Sequence, residues 1–236
     1  MPLIRINQAL PFFADVRRAV TMMLVAVAAF GQPAFAEKNS FQDLALETAA
    51  TCGNPMLSLS ARRSAVIASG WTELDPVARA PAAAAVAEGS VVVDWKVARK
   101  VYDDPLAKEV KRRKHLASFT TGMFGGIGWF ESTKAGKTAY LFLQPYAYPK
   151  PISLVVCEMV FPQAVDISKY AESEGGWNGF ERGPLGDLVA ISNKNPHALA
   201  LFQQSIGPKR FLKATGQETV FRTYVRASIF SLINEP

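Results

Sequence analysis

The chain has 236 residues, 49% of them hydrophobic, with 26 basic side chains against 20 acidic ones and two cysteines. That length is ample for a packed core, and the apolar fraction excludes a disordered or fibrous chain. The positive excess is too thin for a nucleic-acid-binding protein, so no nucleic-acid partner is expected.

The first 36 residues read as an export signal. Arg17 and Arg18 precede an uncharged run from Ala19 to Phe30, a turn pair follows at Gly31 and Pro33, and Ala34-Phe35-Ala36 offers small residues at both positions a signal peptidase must fit. The run of about a dozen apolar residues falls short of the roughly 20 needed for a membrane span. Cleavage after Ala36 is expected to leave residues 37–236 as a single exported domain, periplasmic or extracellular, with no stable span. In that compartment Cys52 and Cys157 have no competing thiol and are expected to form one disulfide.

Ser40 with Asp43 three residues on predicts a capped helix that stops at Gly53-Asn54-Pro55, and Ser60 to Ser69 a second one closed by Gly70. Asp75-Pro76 opens an alanine-rich segment in which Pro81 predicts a kink or restart before Gly89, and Val91 to Tyr102 fits strand or helix equally. Asp104-Pro105 opens an amphipathic helix whose Lys111-Arg112-Arg113-Lys114 run predicts a basic outer face. From Gly122 the pattern turns to strands. Ile127–Thr133 and Thr138–Gln144 form a hairpin, with Pro145 ending it, and Pro151–Phe161 is a near-continuously apolar strand that belongs at a sheet centre. A glycine-rich loop from Gly175 to Gly186 precedes a strand at 185–192. Asn195-Pro196 predicts a short helix closed by Gly207, and residues 211–215 and 219–230 a final hairpin. The sum is an α+β chain: N-terminal short helices followed by a mainly antiparallel sheet of about five or six strands.

Catalytic spacing is scarce. Gly136-Lys137-Thr138 resembles the end of a phosphate loop, but Glu131 stands where the earlier glycine belongs, so hairpin-turn chemistry is the better reading. With His115 and His197 the only histidines, a three-histidine metal site is impossible, and no metal or cofactor is expected. A serine triad would have to gather Ser173, Ser192 or Ser205 with His197 and Asp187. Several carboxylates could form an acid and base pair, the nearest being Glu181 and Asp187.

The segment Glu174 to Asp187 combines backbone freedom with Trp177, Asn178, Phe180 and Arg182, a mixture suited to recognising a sugar or peptide surface. The leading expectation is therefore a soluble, exported, non-enzymatic binding protein whose partner is another protein or an anionic envelope polymer. The alternatives are a hydrolase of an envelope or extracellular polymer using paired carboxylates, and a structural accessory protein without a ligand.

Overall fold

Ser40 starts the first helix as the sequence predicts: its Oγ accepts from Asp43 N at 3.2 Å while Asp43 Oδ2 accepts from Ser40 N at 3.2 Å. The structure, a computed structural model, describes residues 40–101, 104–118, 128–147, 152–174, 179–182, 187–194 and 197–232. The export-signal segment, Trp177 and Asn178 lie outside the described residues. Within them the helices are α1 (Phe41–Gly53), α2 (Leu59–Ala68), α3 (Arg79–Val101), α4 (Pro105–Ser118), α5 (Ser168–Glu174) and α6 (Pro208–Thr215). The strands are β1 (Thr72–Glu73), β2 (Gly128–Lys134), β3 (Lys137–Ala147), β4 (Ile152–Phe161), β5 (Gly179–Arg182), β6 (Leu188–Lys194), β7 (His197–Ser205) and β8 (Thr223–Leu232). They form one eight-stranded sheet in the order β1-β2-β3-β4-β8-β7-β6-β5, and every neighbouring pair is antiparallel. The class is α+β, with two or three more strands than the sequence reading expects.

Because side chains alternate across a strand, the ladder sorts residues onto two faces. One, the disulfide face, carries Leu143, Cys157, Ala227 and Leu201 in one cross-strand row and is covered by α1. Leu44, Val66, Trp71, Phe130, Met159 and Phe161 complete that core. The other, the arginine face, carries Trp129, Phe142, Glu158 and Arg226 in one row, with α3 and α4 over β2, β3, β4 and the Tyr224 end of β8. Among the described residues no helix is long and apolar enough to cross a membrane.

The two cysteines are joined, Cys52 at the end of α1 to Cys157 in the central strand, with Cα atoms 6.1 Å apart. The same end of α1 is held by a buried cation. Arg62 Nη1 donates to the carbonyls of Thr51 and Cys52 at 2.7 and 2.9 Å, and Nη2 to those of Asn54 and Leu57 at 2.9 and 3.1 Å. These include carbonyls that a helix C-terminus leaves unsatisfied, and the positive charge also favours the negative end of the helix dipole.

Several local expectations need correction. The alanine-rich segment is not a short broken helix: after a single 3₁₀ turn at Pro76–Ala78, α3 runs unbroken for 23 residues. Pro81 falls in its first turn, where the missing N–H has no partner to lose. Gly89 does not stop it either; a Cβ there would lie 2.3 Å from Tyr224 Cδ2, so the glycine lets the helix press onto β8. Pro145 continues β3 instead of ending it, opposite Val155 and two residues beyond the last described β2 partner. Residues 197–205 form β7, not a helix, and Phe211–Thr215 belongs to α6, so the final hairpin is instead the pair β6 and β7. Gly136-Lys137-Thr138 does lie in a hairpin: Ala135 and Gly136 both take left-handed conformations between Lys134 and Lys137, as a tight two-residue turn requires.

Candidate functional site

The polar centre of the arginine face is a buried ion cluster. Glu158 stands mid-β4, in register with Phe142 on one side and Arg226 on the other. Arg113 reaches it from α4 and engages both carboxylate oxygens, Nη2 at 2.8 Å from Oε1 and Nη1 closely against Oε2. Tyr224 Oη donates to Glu158 Oε1 at 2.5 Å. The remaining nitrogen, Arg113 Nε, donates to Glu109 Oε1 at 2.7 Å, and the guanidinium lies 5.1 Å from the centre of the Phe142 ring. Arg112 donates to both oxygens of Glu109 from the exposed side, at 2.5 and 2.8 Å.

The basic run therefore does not form a uniformly solvated face. Leu106, Arg113 and Ala117 are buried at spacings of seven and four, the inward stripe of α4, so Arg113 occupies a core position. Lys111 and Lys114 remain on the exposed side. Both signals are present in the sequence. A charge at the inward position of a helix, and a glutamate in the middle of Leu154-Val-Val-Cys-Glu158-Met-Val-Phe161, each demand a partner.

Burial alone would raise the carboxyl of Glu109, but its hydrogen bonds and charge contacts with Arg112 and Arg113 outweigh that and hold it at about 2. Burial likewise pushes Glu158 up, and Arg113, Tyr224 and Arg226 bring it below its ordinary value. A carboxylate depressed in the folded state contributes stability above its unfolded value and loses it as the pH falls through the native one. Urea unfolding should thus show stability draining away from about pH 4.5 down to about 2. Glu109→Gln should flatten that slope, and an unchanged slope in the variant would contradict the coupling.

Around this cluster Arg112, Arg113 and Arg226 outnumber Glu109 and Glu158 by one. Arg226 is half-buried, its Nε donates to Ser228 Oγ at 3.3 Å, and its charge acts on Glu158, opposite it across the ladder, and on Tyr224. Tyr146, half-buried nearby, has its phenol raised first by burial and then by the charge of Glu158. Beyond Arg226 the same face opens. Val189 and Ile191 of β6 are 37% and 43% exposed and Phe230 of β8 is 38% exposed. The register places Val189 with Phe202 and Arg226, Ile191 with Ala200 and Ser228, and Phe230 with Ala198. An apolar strip across β6, β7 and β8 thus ends on a guanidinium. Sequence reasoning misses it because these residues alternate as any half-buried strand does, and only the sheet order shows which half has no helix over it among the described residues.

The sequence-based candidates fall at the edge of the same sheet. Phe180, Glu181 and Arg182 lie in β5, paired to Ala190, Val189 and Leu188 of β6, while Gly179 faces Ile191. Asp187 Oδ1 accepts from Ser205 N at 3.0 Å, so this carboxylate closes the open end of the β6–β7 ladder. His197 lies at the other end of that ladder, beside Lys194, with Nδ1 2.9 Å from Ser231 Oγ. Six residues of strand, on the order of 20 Å, separate it from Asp187, so these two members of the scattered triad do not meet.

Searches for a matching family model, a similar curated protein and a similar solved structure each find no match.

Proposed function

We propose that this chain is an exported, non-enzymatic binding protein that takes its partner on the open part of the arginine face. The observation that carries this reading is the strip Val189, Ile191, Ala198, Ala200 and Phe230, interrupted on β8 by the buried Ser228 and, among the described residues, without a helix over it while the adjacent β2–β3–β4 half is covered. Apolar residues exposed side by side, unlike ones scattered singly, are the kind of surface at which proteins bind partners. In β5, Gly179 and Glu181 pair with Ile191 and Val189 and so stand on the strip's face at its edge, whereas Phe180 and Arg182, opposite Ala190 and Leu188, alternate to the disulfide face. Export is supported by the leader grammar and by the disulfide, a bond that persists in oxidising compartments.

The test uses anilinonaphthalene sulfonate, an apolar anion whose fluorescence rises on exposed apolar surface. The native protein at neutral pH is expected to enhance its emission, and Ile191→Asp and Phe230→Asp should each remove most of that enhancement with the melting temperature unchanged. Equal enhancement by the wild type and both variants would remove the basis for the reading.

A further inference from the structure

We infer that the occupant of the open strip is an amphipathic helix of a partner protein that presents an acidic residue to Arg226; this rests on the binding reading above. Three features of the fold select a helix. Strands β6 and β7 are hydrogen-bonded on both sides, so a partner on this surface meets side chains and cannot add a strand to their backbone. The strip is an open surface, whereas a lipid tail is stabilised by enclosure on most sides. On the opposite face of β7 and β8 the chain's own α1 covers the sheet, and a helix laid across β6–β8 would repeat that layer on the side where the described residues place none.

The charge selects the residue. Glu158 and Glu109 are already engaged by Arg113 and Arg112, and Arg226 is the guanidinium in excess, half-buried at the end of the strip with Ser228 orienting its Nε. A carboxylate arriving on a helix, flanked by leucine-like residues on Ile191 and Phe230, would meet that guanidinium in partly desolvated surroundings, where a charge-assisted hydrogen bond is strong.

The experiment is calorimetric titration of the exported chain with two synthetic amphipathic peptides of about 18 residues, identical along a leucine ridge and carrying glutamate or lysine beside it. The glutamate peptide is expected to bind and the lysine peptide to fail. Arg226→Gln should weaken the glutamate peptide by about tenfold, the scale of a lost hydrogen bond to a charged group, and Ile191→Asp should abolish binding in a protein that melts normally. Equal binding of both peptides, or binding indifferent to Arg226→Gln, would overturn the inference, as would saturable binding of decanoate at the same surface. If the sulfonate dye maps to the strip and the glutamate peptide does not bind, the open-face reading stands and the acidic-helix inference falls.

Discussion

Replacing Arg113 by methionine should cost about 3–5 kcal/mol, the largest loss expected from any single side chain here. The methionine fills the volume of the arginine stem, so the loss reads charge and hydrogen bonding more than packing. Glu158 would keep the donor from Tyr224 but lose both guanidinium contacts while buried in a core of Phe142, Val160 and Trp129. Glu109 would keep Arg112, so the damage should centre on Glu158. For a chain of this size 1 kcal/mol moves the melting temperature by roughly 2–4 °C, so a drop on the order of 10 °C is expected. Glu158→Gln in the Arg113→Met background should recover part of the loss, because the neutral amide has no charge to desolvate and can still accept from Tyr224. A single variant as stable as the wild type, or a double variant worse than the single, would show that the pair is not a stabilising unit as placed.

The second large effect is loss of the disulfide. Its cysteines are 105 residues apart, and closing a loop of about 100 residues stabilises by up to roughly 4.7 kcal/mol through the entropy removed from the unfolded chain. Cys52→Ala with Cys157→Ala should lower the unfolding free energy by several kcal/mol, measured by urea titration against the oxidised wild type. Both sulfurs are buried, so the native protein in dithiothreitol should yield thiols only at the rate at which it opens globally. Arg62 is expected to keep the end of α1 assembled in the double alanine variant, since its four carbonyl contacts do not need the bridge. Rapid reduction with no change in stability would place the bridge outside the cooperative core.

Much of the architecture is legible before any coordinates because particular residues speak locally. Ser40 with Asp43, Asp104 before Pro105, the Ala135-Gly136 turn and the apolar run of β4 each state one element through capping, turn or burial chemistry. The cysteine pair is legible through arithmetic alone. The misreadings come where one residue type serves two geometries. Gly216 takes a left-handed conformation, which suits a hairpin turn and a helix C-terminus equally, and here it caps α6. Pro196 suggests a helix start, yet the alternating burial along His197–Ser205 belongs to a strand paired on both sides.

The candidate site was less legible than the fold. Its charged members are scattered over α4, β4 and β8, and no spacing links Arg113, Glu158 and Arg226 in the sequence; only the β4–β8 register and the inward stripe of α4 unite them. The open strip depends on an absence over one half of a sheet face, a property of the layer arrangement and not of any motif. Of the sequence-based candidates in β5, Glu181 stands on the strip's face opposite Val189, while Phe180 and Arg182 alternate to the other face.

Site-specific photo-crosslinking in the intact source cell tests the binding face most directly. With a benzophenone side chain at position 191 the protein should form a covalent adduct with one discrete partner, while the same group at position 111, on the exposed side of α4, should form none. Adducts of equal yield from both positions, or from 111 alone, would contradict the assignment of the β6–β7–β8 strip as the surface this protein uses.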